Sequence, residues 1–416
     1  MPVTQDGLSL QDRIAGHFLP HVPDTLGVAV SGGSDSLALL HLLASWRGAS
    51  LRVVTVDHGL RPEAATEAQQ VAEVCETLGV RHDTLHWDGW DGQGNLPDRA
   101  RQARYCLMAE WARNNGIDDI ALGHTADDQA ETLLMRLARR AGIDGLAAMA
   151  SRRVMDRVTF HRPMLRMTRA ALRADLTQRG VSWIDDPSNA DGAYRRVRAR
   201  RALEVLVPLG LTAEGLTQSA HHLAEARATL AYYAAIEARN AVDFHSGDVL
   251  LDRARMAALR PDIARRILSA ALGWVAGPGY GARGREIDTA LQAINAGQQT
   301  TLYGCVIMAG SNQVRIIREL EAVKSLQATP GALWDGRWRL TGPDLPGAEI
   351  RALGSEGRIA CPDWRETGLP RGSIEAGPGV WQRDTLIAAP LAGAANGWTA
   401  ELCRTPDDFH SGLLSH

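Results

Sequence analysis

Leu26-Gly27-Val28-Ala29-Val30-Ser31-Gly32-Gly33-Ser34-Asp35-Ser36, followed by an apolar run at 37–43, decides the fold. A short β-branched stretch that breaks at two glycines and resumes as an apolar segment reads as a buried strand, a tight turn and a helix. The glycines let backbone approach an anion, and the helix start offers it free N–H groups and partial positive charge. Ser31, Ser34 and Ser36 add hydroxyl donors. The string lacks the lysine and the spacing of the G-x-x-x-x-G-K-[ST] phosphate loop.

Outward from this turn the first 140 residues repeat the same alternation. Strand patterns at 51–56, 81–85 and 119–122 are separated by helical spacing at 62–78, 99–115 and 126–140. Strands alternating with helices of this length predict βαβ units, hence a doubly wound parallel sheet with ligands bound beyond the carboxyl ends of its strands. Val207-Pro208-Leu209-Gly210 reads as a boundary. Three domains are expected: an α/β domain over 1–207, a mainly helical one over 211–325 that ends in a hairpin near 301–315, and a small β-rich one over 329–416.

Composition narrows the chemistry. The 416 residues carry 45 basic and 48 acidic side chains, and Lys324 is the one lysine. A lysine nucleophile or Schiff base is therefore excluded everywhere else. The five cysteines are far apart and form no C-x-x-C, which argues against a disulfide framework, a zinc site or a dithiol centre. With no apolar run long enough to span a bilayer and no leader pattern, the expected location is the cytoplasm. The charge is segregated: residues 1–131 carry a net −10, residues 132–201 a net +10 and the remainder −3. Arg195, Arg196, Arg198, Arg200 and Arg201 crowd into seven positions of the basic block. Such a block is the footprint of a polyanion-binding face.

The S-G-G-x-D-S string in the first βα turn resembles the PP-loop of the ATP-pyrophosphatase superfamily. Val56-Asp57-His58-Gly59-Leu60-Arg61 after the second strand and Gly123-His124-Thr125-Ala126-Asp127-Asp128-Gln129-Ala130-Glu131-Thr132 after the fourth are similar to signatures of bacterial tRNA(Ile)-lysidine synthases. Ala100-Arg101 with Arg104-Tyr105, Arg162-Pro163-Met164-Leu165 and Asp185-Asp186-Pro187-Ser188-Asn189 match further segments of that family in the same order, and Thr301-Leu302-Tyr303-Gly304 is a later echo.

The resemblance implies binding of ATP by Ser31, Gly32, Gly33, Ser34, Asp35, Ser36, Asp57 and His58, with Asp35 facing the phosphates through Mg²⁺. It implies a catalytic set of Asp35, His124, Asp128 and Glu131. Asp128 and Glu131 would bind free lysine, and Arg101, Arg104, Arg196 and Arg200 the phosphates of tRNA(Ile) bearing a CAU anticodon. The implied reaction joins lysine to the wobble cytidine through an adenylated intermediate. Pro97 stands where the family has a glutamate, and Val197 where it has an asparagine. A tRNA thiolase and a non-catalytic RNA-binding module are the rival readings, and the oligomeric state, monomer or homodimer, is open.

Overall fold

In the computed structural model, residues 8–59, 64–87, 96–185, 195–277 and 284–414 are described. The alternation in the sequence becomes α1 (Leu10–Phe18), β1 (Thr25–Ala29), α2 (Ser34–Trp46), β2 (Ser50–Asp57), α3 (Ala64–Leu78), β3 (Arg81–His86), α4 (Leu96–Asn114), β4 (Asp119–Leu122) and α5 (Ala126–Leu137). Next come the short α6 (Ile143–Leu146), the hairpin β5 (Arg152–Met155) and β6 (Val158–His161), α7 (Arg169–Gln178), α8 (Arg195–Leu206) and the long α9 (Ala213–Ala241). The six strands order as β3-β2-β1-β4-β6-β5, and all neighbours run parallel except the β5–β6 pair. The expected doubly wound parallel sheet is present.

Burial explains the order. Val28 and Leu26 of central β1 are fully buried, flanked by Val53 of β2 and Ile120 of β4, so this part of the sheet is covered on both faces. Helix α2 buries Leu37, Leu39, Leu40, Leu42 and Leu43 together with Ile14 and Phe18 of α1 and Leu172 and Leu176 of α7. On the opposite face Tyr105, Met108 and Trp111 of α4 pack with Ile120, Leu122 and Phe160.

The chain folds as two compact units, residues 1–227 and 228–416. The first unit includes the start of α9, because Leu216 and Ala220 pack on Ala130 and Leu133 of α5. The Thr217 hydroxyl also donates to the Ala126 carbonyl (3.1 Å).

The second unit carries a five-stranded antiparallel sheet. Its strands are β7 (Val242–His245), β8 (Asp248–Asp252), β9 (Thr300–Leu302), β10 (Cys305–Ala309) and β11 (Gln313–Arg318), in the order β7-β8-β11-β10-β9. The expected hairpin lies within β9–β11. Tyr303 and Gly304 both take positive φ, the two-residue turn that matches strand twist. The β7–β8 hairpin, inside a stretch read as mainly helical, is a difference: its nine strand residues are too few to outweigh the helices on either side. Beyond residue 326, sheets of four and three strands form around buried Trp334, Trp338, Trp381 and Trp398, as a β-rich C-terminal region should. Short helices such as Pro406–Leu414 accompany them.

Candidate active site

The turn after β1 is built for an anion. Gly32 has φ +81°, and a Cβ there would lie 2.7 Å from Ile184 Cδ1, so both backbone and space require glycine. Gly33 caps α2 without a side-chain hydrogen bond, which leaves the first N–H groups of the helix free to meet a ligand. Ser36 Oγ ties the loop together, accepting from the Ser31 amide (3.1 Å) and donating to the Gly33 carbonyl (3.0 Å). Gly123, past the end of β4, allows close approach: a Cβ there would sit 3.0 Å from the Ser36 backbone. The loop and the α5 motif, some ninety positions apart in the chain, are thereby brought against each other.

They open into one cavity of about 900 Å³ that Ser31, Gly33, Ser34, Asp35, Ser36, Asp57, His58, Arg101, Arg104, His124, Asp128, Arg196 and Arg200 all line. Asp57 turns partly back on its own chain, accepting from the Gly59 amide (2.8 Å). The His58 ring meets Trp87 edge-on, and burial keeps its pKa below the usual histidine value. Leu60 and Arg61, Asp186 to Asn189, Tyr194 and the side chain of Pro97 lie outside the described part of the structure. Val197 is buried on α8.

Asp128 does two things at once. Its Oδ2 closes a capping box with Thr125, accepting from the Thr125 amide (2.9 Å). Its Oδ1 faces Arg169 (3.5 Å) and Arg196 (3.9 Å). Burial works to raise the Asp128 carboxyl, but Arg196 and Arg169 outweigh it and hold the group below the usual carboxylate range. Glu131, one turn on and fully buried, pairs through Oε1 with Arg200 Nε (2.9 Å). Its Oε2 lies 3.3 Å from Arg196 Nε but completes no hydrogen bond. Burial and the adjacent Asp128 push its pKa up against those guanidiniums. Burial likewise raises Asp35, although Arg169 Nε donates to it (2.9 Å). Two of the three acids therefore favour more positive charge than the protein alone supplies.

His124 is half-buried, and its pKa is pushed down to about 3 by desolvation and by Arg162, Arg104 and Arg101, against the pull of Asp128. The imidazole is neutral at physiological pH. Its Nδ1 and Arg104 Nε make no hydrogen bond among the described residues.

Two arginines that the motifs did not flag belong to the site. Arg169 and Arg173, one turn apart on α7, reach Asp35 and Ser34 (3.1 Å). Nothing marked them, because they are two among sixteen arginines in the 132–201 block. Arg196 and Arg200, expected to contact RNA phosphates, pair with Glu131 of α5.

A parallel sheet with a Ser/Gly loop at its first βα turn and an acidic helix beside that loop defines a PP-loop domain, and the PP-loop domain family matches residues 8–206. The chain is 48% identical to the tRNA(Ile)-lysidine synthase of Ruegeria pomeroyi, over the full length of both. It is 38% identical to that of Brucella ovis over 74% of this chain and 72% of the relative. It belongs to the tRNA(Ile)-lysidine synthase family. Among solved structures, a U34-tRNA thiolase from Methanococcus maripaludis shares 16% identity with a TM-score of 0.46, covering 52% of this chain and 77% of that one.

Proposed function

We propose that the protein uses ATP to join free lysine to the wobble cytidine of tRNA(Ile) bearing a CAU anticodon. The observation that carries this reading is the meeting, in one cavity, of an anion-binding loop, the buried Asp128 and guanidiniums from α4 and α8, with the α8 guanidiniums also paired to buried Glu131. In the first step the 2-carbonyl oxygen of the cytidine attacks the α-phosphate and pyrophosphate leaves. In the second the lysine ε-amine attacks the activated C2 and AMP leaves. The loop 31–36 grips the departing pyrophosphate with backbone N–H groups and hydroxyls.

Asp128 and Glu131 bind an ammonium of lysine, supplying the charge pairing that now falls to Arg196 and Arg200. Those arginines then turn to RNA phosphates together with Arg101 and Arg104, which gives salt-dependent affinity without base reading. Neutral His124 serves as a hydrogen-bond partner at the reacting centre.

Asp35 suits Mg²⁺: it is a hard oxygen donor at the phosphate loop, and its raised pKa favours an added cation. Among the described residues no cluster of three His, Cys, Asp or Glu forms a cage, so nucleotide oxygens would complete the coordination. Bound there, Mg²⁺ supplies charge neutralisation on the pyrophosphate.

A cytoplasmic setting fits five free thiols, and no helix among the described residues is long and apolar enough to cross a membrane. The thiolase alternative gains nothing from Cys75, whose thiol burial pushes to about 11.

Incubation with ATP, Mg²⁺, labelled lysine and unmodified tRNA(Ile) tests the reading. Label should enter the RNA, and Asp35→Ala or Glu131→Ala should stop it. Sulfur incorporation, or RNA binding without ATP turnover, would overturn it.

A further inference from the structure

Four carboxylates from two elements lie close together: Asp35 of α2 and Asp128 of α5, which line the cavity, and Asp127 and Glu131 of α5, which do not line it. Arg169, the first residue of α7, touches all four. Its Nε donates to Asp35 Oδ2 (2.9 Å) and its backbone N–H to Asp127 Oδ2 (2.7 Å). Its two terminal nitrogens lie 3.5 Å from Asp128 Oδ1 and 3.9 Å from Glu131 Oε1. The guanidinium thus bridges the acid of the phosphate loop and the acids of the lysine site. Its side chain is 18% exposed, against 40% for Arg196 and 34% for Arg200, which approach the same acids from α8.

We propose that Arg169 is a positioning residue that locks the nucleotide-facing and lysine-facing carboxylates into one ionised constellation, so that the two small substrates share a single electrostatic support. The proposal rests on the lysine-ligating reading above. Thr168 caps α7 and Leu172 and Leu176 pack into the core, so the guanidinium stands on a rigid base. A planar fork with several donors can serve carboxylates in different directions, which a single ammonium cannot do as well. When RNA and lysine draw Arg196 and Arg200 away from α5, Arg169 stays in place because its partners span both elements.

The groups facing these acids are Ser34 of α2, Arg169 and Arg173 of α7, Arg196 and Arg200 of α8, and His124, with Arg101 and Arg104 of α4 and Arg162 behind it. Removing Arg169 takes away the cation common to all the acids. With that charge gone from beside Asp128 and Glu131, burial and like-charge repulsion shift these two carboxyls upward, so they protonate at higher pH and release the ammonium sooner on acidification.

The test measures lysine incorporation and ATP turnover across the acidic to neutral range for the whole protein, Arg169→Gln, Arg169→Lys and the control Arg179→Gln. Arg179 pairs with Asp175 at the far end of α7. Arg169→Gln should raise the KM for lysine and for ATP by roughly ten- to a hundredfold at neutral pH and move the acid limb of the lysine profile upward. Arg169→Lys should bring the limb back while leaving both KM values raised, and Arg179→Gln should behave as wild type. If Arg169→Gln melts below the assay temperature, Arg169→Lys alone decides, and wild-type KM values for both substrates would overturn the proposal. A folded Arg169→Gln with an unmoved acid limb would overturn it equally, even if kcat fell. Failure of the wild-type protein to incorporate lysine would instead overturn the ligase reading, and this inference with it.

Discussion

The two oxygens of Asp128 separate architecture from chemistry. Asp128→Asn keeps an acceptor for the Thr125 cap but loses the charge that faces Arg169 and Arg196. Its thermal stability should stay near wild type while the KM for lysine rises at least about tenfold, a loss typical of a charged hydrogen bond. Asp128→Ala should add a stability loss of about 1 kcal/mol for the lost hydrogen bond from the Thr125 amide, measured by denaturant titration. Gly32 is equally discriminating. Gly32→Ala forces an L residue to φ +81° and a Cβ onto Ile184, costing about 1–3 kcal/mol and displacing the loop. ATP turnover should fall further than stability does.

Helix α8 illustrates what composition conveys and what it omits. Five arginines within seven residues announced an anion-facing helix, and their spacing puts Arg196 and Arg200 on one face. That this face lies on α5 is a tertiary fact: α8 follows residues 186–194 and sits 65 positions after Glu131, counted to Arg196. Arg200→Gln should lower RNA affinity and reduce the slope of log affinity against log salt by about 1, read from filter binding at several ionic strengths. An unchanged slope would remove Arg200 from the RNA contacts. The hairpins β5–β6 and β7–β8 escape the sequence reading because their strands are only four or five residues long. So short a period-2 signal does not stand out beside helices of ten residues or more.

The whole first unit also carries a pH liability. His17 Nε2 lies 3.0 Å from His161 Nδ1, and His161 Nε2 lies 2.7 Å from Asp119 Oδ1, a chain that joins α1 to β6 and β4. Burial, with the charges of His161 and Arg152, pushes His17 down to about 4 from an ordinary 6.5. The unfolded chain therefore takes up this proton first. The contribution to stability is complete above about pH 6.5 and is lost as pH falls toward 4. His17→Gln should flatten the Tm profile across that window relative to wild type in calorimetry, and parallel profiles would refute the assignment.

The parallel sheet, its phosphate loop and the acidic helix after β4 were determined by the sequence alone, because local periodicity and a glycine turn of fixed spacing encode them. The cores sit where those periodicities put their apolar faces, and the C-terminal tryptophans are buried among short strands. The dual role of Asp128, the bridging by Arg169 and the pairing of α8 arginines with Glu131 were decided only in three dimensions. They depend on which of many arginines reaches a given carboxylate, and a one-dimensional pattern assigns no partner to a long, flexible side chain. Close approach at Gly123 and packing of α7 on α2 set those partners, by placing charges from distant parts of the chain inside one desolvated cavity.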